Sequence, residues 1–234
     1  DFKKELFKLV ESSKLITILE STSYNIEQNN DAGCCLLLNG KTKHECDLLM
    51  VCDGRSSSAR RQYFSTETEK SYNQHAITFI IHHEKPHEGT AIEHFMPAGP
   101  FALLPLKDQN LSSVVWTVAS DKQSAIMNLP KDELTYIVQQ NMGDFLGPIS
   151  IKSEAAAFPL KFYETKQYYN NKIALIADTA HIMHPLAGQG LNQGIKDVSS
   201  LTQCVVQYGA SVYALEQYQQ NRKIDNNNML EMTD

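Results

Sequence analysis

The run Ile173-Ala-Leu-Ile-Ala177 empties directly into Asp178-Thr-Ala-His-Ile-Met-His-Pro-Leu-Ala-Gly-Gln-Gly-Leu-Asn192. An unbroken series of small and branched apolar residues suits a strand inside a parallel sheet, and ligands of such sheets gather beyond the carboxyl ends of the strands. Asp178 stands at that end. Gly188 and Gly190 permit close approach of the backbone to a ligand, and the helix that follows opens with unpaired N–H groups and a partial positive charge.

A second segment repeats the plan. Leu48-Leu-Met-Val-Cys52 ends in Asp53-Gly54 and continues as Arg55-Ser-Ser-Ser-Ala-Arg60-Arg61. Arginine binds phosphate bidentately and serine caps helix starts, so this turn suits an anion such as a pyrophosphate. Taken singly, each segment also reads as an ordinary capped strand-to-helix turn with solvated arginines.

The two segments occur in a telling order. Asp53-Gly-Arg-Ser-Ser-Ser-Ala-Arg60 resembles the Asp-Gly motif of the flavin-dependent aromatic hydroxylases, the p-hydroxybenzoate hydroxylase-like family. Ala177-Asp-Thr-Ala-His181 with Pro185, Gly188, Gly190 and Asn192 resembles that family's Gly-Asp motif. Within the family, His184-Pro-Leu-Ala-Gly-Gln-Gly-Leu-Asn192 followed by Gly194 and Asp197-Val198 is most similar to the ubiquinone-biosynthesis hydroxylases of the 2-polyprenyl-6-methoxyphenol type. Gly99-Pro-Phe-Ala-Leu-Leu-Pro-Leu106 and Ser113-Val-Val-Trp-Thr117 resemble strands of its central domain, so the likeness covers nearly the whole chain.

The resemblance implies an α/β chain, α+β overall, in which an incomplete FAD-binding Rossmann-like domain carries an inserted β-rich substrate domain. It implies FAD as cofactor, NAD(P)H as reductant, and hydroxylation of a prenylated phenol by O2 through a flavin C4a-hydroperoxide. The flavin carries that oxidation, so no side chain is assigned a catalytic role. By carry-over, Asp178 accepts a hydrogen bond from a ribityl hydroxyl. Pro185, Leu186, Ala187, Gly188, Gln189 and Gly190 line the flavin ring, with Asn192 in the same motif and backbone amides of the glycine turn facing the pyrimidine oxygen. Asp53, Gly54 and Arg60 are expected near the pyrophosphate and the nicotinamide cofactor. Three positions depart from the family pattern: Ala177 replaces a glycine, Thr179 a small apolar residue, and Gln193 an aliphatic one.

Family members begin with a βαβ unit carrying Gly-x-Gly-x-x-Gly, and no such sequence occurs here. The expectation is a fragment lacking the first part of its cofactor domain and some helix beyond Asp234. Such a fragment is expected to hold FAD weakly or not at all and to self-associate through an uncovered side of its sheet. Two alternatives stay open: a catalytically incompetent interaction piece, and a non-hydroxylating flavoprotein on the same scaffold.

Composition fits a folded, water-soluble piece. With 234 residues, 42% of them hydrophobic, the chain can bury a core. It shows neither a signal peptide nor the ~20 consecutive apolar residues that cross a bilayer. A net charge of -6 disfavours nucleic acid as a partner. Five cysteines without a CxxC pattern read as reduced thiols of a cytoplasmic protein, with Cys52 as strand core. Because the implied substrate is lipophilic, the parent enzyme is expected at the periphery of the inner membrane or in a ubiquinone-biosynthesis complex.

Histidines raise the question of a metal. Asp178, His181 and His184 have suitable spacing, but Pro185 and the glycines argue against one continuous helix, and a histidine bonding local backbone is the preferred reading. His82 and His83 would point to opposite faces of a strand, and with His87 and His94 they read as solvated loop residues. No metal is expected.

The coarse pattern of strands and helices divides the chain into residues 1–70, 71–165 and 166–234, which the resemblance makes the first segment of the FAD-binding domain, the β-rich substrate domain and the second FAD-binding segment. Expected elements are an amphipathic first helix, strands Ile16–Ser21 and Cys34–Leu38, and an Asn39-Gly40 turn. The middle stretch should hold a hairpin around Asp108-Gln-Asn110, a strand in which Val114, Trp116 and Val118 share a face, and a single helix starting at Pro130 and stopping at Gly143. A long helix should end near Gly209. Phe95, Phe101, Leu103 and Trp116 are either pocket walls or plain core.

Overall fold

A computed structural model describes residues 2–182 and 189–233. Helix α1 (Phe2–Ser12) is followed by strands β1 (Tyr24–Asn30), β2 (Gly33–Leu38) and β3 (Thr42–Cys46), then β4 (Leu49–Val51) and helix α2 (Ser58–Tyr63). Strands β1, β2 and β3 form an antiparallel sheet in that order. The Asn39-Gly40 turn joins β2 to β3 with φ values of 50° and 67°, the positive pair that a tight hairpin requires.

The middle of the chain carries β5 (Thr66–His83), β6 (Ile92–Met96), β7 (Gly99–Pro105), β8 (Leu111–Ala119), helices α3 (Ser120–Met127) and α4 (Lys131–Met142), and strands β9 (Ile149–Ile151) and β10 (Ala156–Thr165). Strands β11 (Tyr169–Asn170) and β12 (Ile173–Leu175), a 3₁₀ turn at Ala177–Thr179, β13 (His181–Ile182), and helices α5 (Gln189–Tyr208) and α6 (Val212–Thr233) complete it. The large sheet runs β13-β10-β5-β8-β7-β6, with β9 also paired to β5. A small sheet runs β11-β12-β4 and holds the parallel pair β12–β4.

Two hydrophobic cores result. One packs Ile77, Phe79 and Ile81 of β5 against Val114 and Trp116 of β8 and Leu134, Val138 and Met142 of α4. Full burial of such side chains contributes roughly 1.5–3 kcal/mol each. The other gathers Val51, Ile173, Leu175, Leu201, Leu215 and Tyr218 from β4, β12, α5 and α6. The spacing Leu134, Val138, Met142 places one face of α4 inward, and Gly143, at φ 76°, ends the helix in a conformation that glycine adopts freely.

Several expectations need correction. Residues Ile16–Ser21 form no strand, and Leu15 beside them is 97% exposed; the apolar run finds no partner, whereas the polar β1 forms because its backbone pairs with β2. The middle stretch contains two helices, since α3 follows β8 directly. Pro130 is the residue before α4, where its carbonyl accepts from Leu134 N–H at 3.0 Å. Beyond Gly209, α6 extends from Val212 to Thr233, a helix the periodicity did not announce. Cys52 lies past the end of β4 and is exposed, so it is not core; all five cysteines are free thiols. Phe101, Leu103 and Trp116 are core, while Phe95 is 78% exposed.

Candidate cofactor site

The parallel pairing of β4 with β12 sets Val51 opposite Leu175, so the two acid-tipped segments leave the sheet side by side. Ile176 N–H donates to Val51 O at 3.1 Å, the last ladder bond before the chains diverge. Just beyond it, Gly54 N–H donates to Thr179 Oγ1 at 2.9 Å. The departure of Thr179 from the family pattern thereby acquires a reason: its hydroxyl fastens one loop to the other, which a small apolar residue could not do.

Arg60 strengthens the link. Ser57 Oγ caps α2 by accepting from Arg60 N–H at 3.0 Å, which fixes the start of the helix. The Arg60 guanidinium lies 4.4 Å over the Tyr163 ring and donates to Tyr163 Oη at 2.6 Å, to Thr179 O at 3.5 Å and to Arg55 O at 2.6 Å. The Tyr163 hydroxyl donates in turn toward Thr179 O at 2.6 Å and Asp178 O. Burial pushes this hydroxyl well above its usual pKa, against the opposing influence of Arg60, so it stays a donor. Arg60 therefore braces the loops from within, and Arg55 is the exposed cation of the Asp53 turn that faces the cavity described next.

Asp53 and Asp178 are both exposed. Asp53 accepts from Tyr24 Oη at 3.4 Å, and burial together with the Asp53 charge pushes Tyr24 up to about 12. Among the described residues no donor is bonded to the Asp178 carboxylate. Asp178 and Gly190 line two adjoining cavities. One, of about 290 Å³, lies between the Asp178 turn and the large sheet, with Arg55, His181, Phe158 and Lys161 on its walls. The other, of about 730 Å³, is bordered by Phe2, Leu6, Cys52, Ile176 and Leu191. A Cβ added to Gly190 would meet nothing within 4 Å among the described residues, so the backbone there faces open space.

Of the proposed flavin-ring segment, Pro185, Leu186, Ala187 and Gly188 lie outside the described residues. Gln189 is the first residue of α5, and Asn192 sits exposed one turn along it. The N-terminal turn of this 20-residue helix borders both cavities through Gly190, and a helix start carries a partial positive charge. An exposed carboxylate with no bonded donor among the described residues, an open glycine and a helix start at one place fit a nucleotide-type cofactor bearing hydroxyls.

Sequence reasoning missed what lies behind the turn. His181 Nε2 meets Asp197 Oδ2 at 2.8 Å, and that same oxygen accepts from Ala177 N–H at 2.8 Å. Asp197 Oδ1 accepts from Arg222 Nε at 2.6 Å. Arg222 also donates to Gln193 Oε1 at 2.7 Å, Asn226 Oδ1 at 2.9 Å and Asp225 Oδ2 at 2.6 Å. Asn226 then donates to Tyr168 Oη, which donates to Glu164 Oε1, each at 2.9 Å. Burial alone would raise the Asp197 pKa, but the bonds from His181 and Arg222 outweigh it and hold the carboxyl below the usual range. Gln193, the third departure, serves as part of the Arg222 cage.

The other histidines are also revised. His82 and His94 are exposed, but His83 and His87 are buried. His83 Nδ1 faces Lys85 O at 2.6 Å and its Nε2 meets Ser112 Oγ at 3.0 Å; His87 Nε2 meets Leu106 O at 3.0 Å. Among the described residues no group of three or more His, Cys, Asp or Glu side chains is placed to hold a metal. Nor is any described helix long and apolar enough to cross a membrane.

Residues 2–233 match the family described as FAD binding domain, and the chain belongs to that family. Ubiquinone hydroxylase UbiL of Rhodospirillum rubrum is 35% identical over 215 residues, covering 89% of this chain and 50% of that protein. The 3-demethoxyubiquinol 3-hydroxylase of Escherichia coli is 30% identical over 230 residues, covering 96% of this chain and 58% of that protein. The chain thus spans about half the length of the curated relatives it matches. The fold is that of pqsL, a probable FAD-dependent monooxygenase from Pseudomonas aeruginosa, at a TM-score of 0.83 and 17% identity over 99% of this chain and 67% of that one.

Proposed function

We propose that this chain forms one side of the FAD site, together with the substrate-facing sheet, of a monooxygenase that hydroxylates a prenylated phenol in ubiquinone biosynthesis. The observation that carries the reading is the bond from Gly54 to Thr179, which joins the two acid-bearing loops at the ends of parallel strands. The names of the relatives support the substrate class.

In this reading residues 1–70 and 166–234 hold the cofactor and residues 71–165 present the substrate, a division supported by the two separate hydrophobic cores. Bound FAD would take electrons from NAD(P)H and deliver oxygen from O2 to an electron-rich ring. Asp178 would accept a hydrogen bond from a ribityl hydroxyl. Gly190 and the start of α5 would face the ring, where the helix N-terminus favours negative charge. Asp53 and Gly54 would lie toward the pyrophosphate, while Arg60 contributes by holding their loop in place. Ala76, Phe158 and Leu160 supply an apolar wall that keeps water from the reacting centre. The lipophilic substrate calls for work at the periphery of a membrane or within a biosynthetic complex.

Following NAD(P)H oxidation and phenol hydroxylation together in the full-length enzyme tests the assignment. Hydroxylated product accumulating with NAD(P)H consumption is the expected result. Oxidation of NAD(P)H that never yields hydroxylated product, with any prenylated phenol supplied, would identify a non-hydroxylating flavoprotein instead.

A further inference from the structure

We infer that Asp197 and Arg222 are positioning residues for the Asp178 carboxylate, forming a buried lock through which helix α6 sets the geometry of the cofactor turn. The inference rests on the reading of Asp178 as an FAD contact and extends it to residues well outside the turn.

Ala177, immediately before Asp178, has φ 53°. Such left-handed backbone at a residue with a side chain is strained and persists only where the surroundings hold it. Two features of α5 do so here. Asp197 Oδ2 takes the Ala177 N–H, and Gly194 lies so close that a Cβ built on it would come within 2.9 Å of Ala177 Cβ. The same carboxylate oxygen also holds His181. One oxygen therefore grips residues 177 and 181, on both sides of Asp178.

The other Asp197 oxygen is bonded to Arg222. Asp197 is 0% and Arg222 5% exposed, so the pair is kept from solvent and its geometry is fixed by direct bonds to Gln193 and Asn226. Removing one partner of a buried pair leaves an uncompensated charge, which makes the pair a stiff connection. The path from α6 to the turn is thus Arg222, Asp197, Ala177, Asp178. A purely structural role would lower overall stability and affect every region alike. A positioning role makes the effect depend on the strain at Ala177, because glycine adopts that φ without help.

The test compares Asp197→Asn and the milder Arg222→Lys, each with and without Ala177→Gly. Amide hydrogen exchange of the present chain needs no cofactor. Exchange of residues 176–181 should accelerate by about tenfold in Asp197→Asn, the equivalent of one charge-assisted hydrogen bond, while the strand amides of Ile77–Ile81 stay unchanged. Titrating the full-length enzyme with FAD by flavin fluorescence should show affinity falling about tenfold in the Ala177 background and less than about threefold with Ala177→Gly. Arg222→Lys should give smaller changes in the same pattern, and it serves as the readout if Asp197→Asn does not fold. Acceleration spread evenly over the chain, or equal losses in both backgrounds, would overturn the lock. If the turn amides respond as expected and FAD affinity does not move, the lock stands and the assignment of Asp178 to FAD falls.

Discussion

Gly54 N–H donates to Thr179 Oγ1 at 2.9 Å, so a backbone group from one acid-tipped segment is held by a side chain from the other, 125 positions along the chain. Replacing Thr179 by Val leaves the half-buried N–H without its acceptor. Stability should drop by about 1–3 kcal/mol in denaturant unfolding, and Thr179→Ser should recover most of it.

Tyr163 connects the large sheet to both loops through its ring face under Arg60 and its hydroxyl toward Asp178 O and Thr179 O. Tyr163→Phe keeps the ring and removes the hydroxyl. The expected loss is about 1 kcal/mol, with a larger one for Arg60→Ala, which removes the cation and its bonds to Tyr163 and Arg55 together. Chemical denaturation of the two variants checks the order.

Gly194 has no space for a side chain, since a Cβ there would lie 2.9 Å from Ala177 Cβ. Gly194→Ala should destabilise by roughly 1–3 kcal/mol through overpacking, and adding Ala177→Gly should restore much of that loss. Thermal melts of the single and double variants measure the recovery.

Buried His83 is held neutral, its pKa lowered chiefly by burial and further by the neighbouring His87 and His82. A folded-state value below the unfolded one, about 6.5, means that protons bind the unfolded chain more readily. Its contribution to stability is therefore complete above about pH 6.5 and is lost as pH falls through the lower folded value. Tm should decline between pH 7 and 5, and His83→Gln should show a shallower decline.

The residues that announced themselves were those with local grammar. Asn39-Gly40, Gly143 and Gly209 mark turns and stops because positive φ is a property of the residue itself, and all three lie where the pattern put them. The strand ends at Asp53 and Asp178 were legible for a similar reason, as continuous apolar runs that stop at an acid. What the sequence hid depends on distant partners. The strand at Tyr24–Asn30 is polar and exists through pairing with β2, while the apolar Ile16–Ile18 stretch stays unpaired and exposed. Asp197 lay inside a recognised motif without a visible role. Arg222 had no local signal at all, because its meaning comes from α6 packing against α5.

The central claim is that the Asp178 turn holds the cofactor, and FAD affinity of the full-length enzyme tests it most directly. Asp178→Ala should weaken FAD binding by at least about tenfold, while His83→Ala, which disturbs only a histidine buried against Lys85 and Ser112, should leave it within about twofold once the protein is folded. Equal weakening in the two variants, or none in Asp178→Ala, would contradict the account.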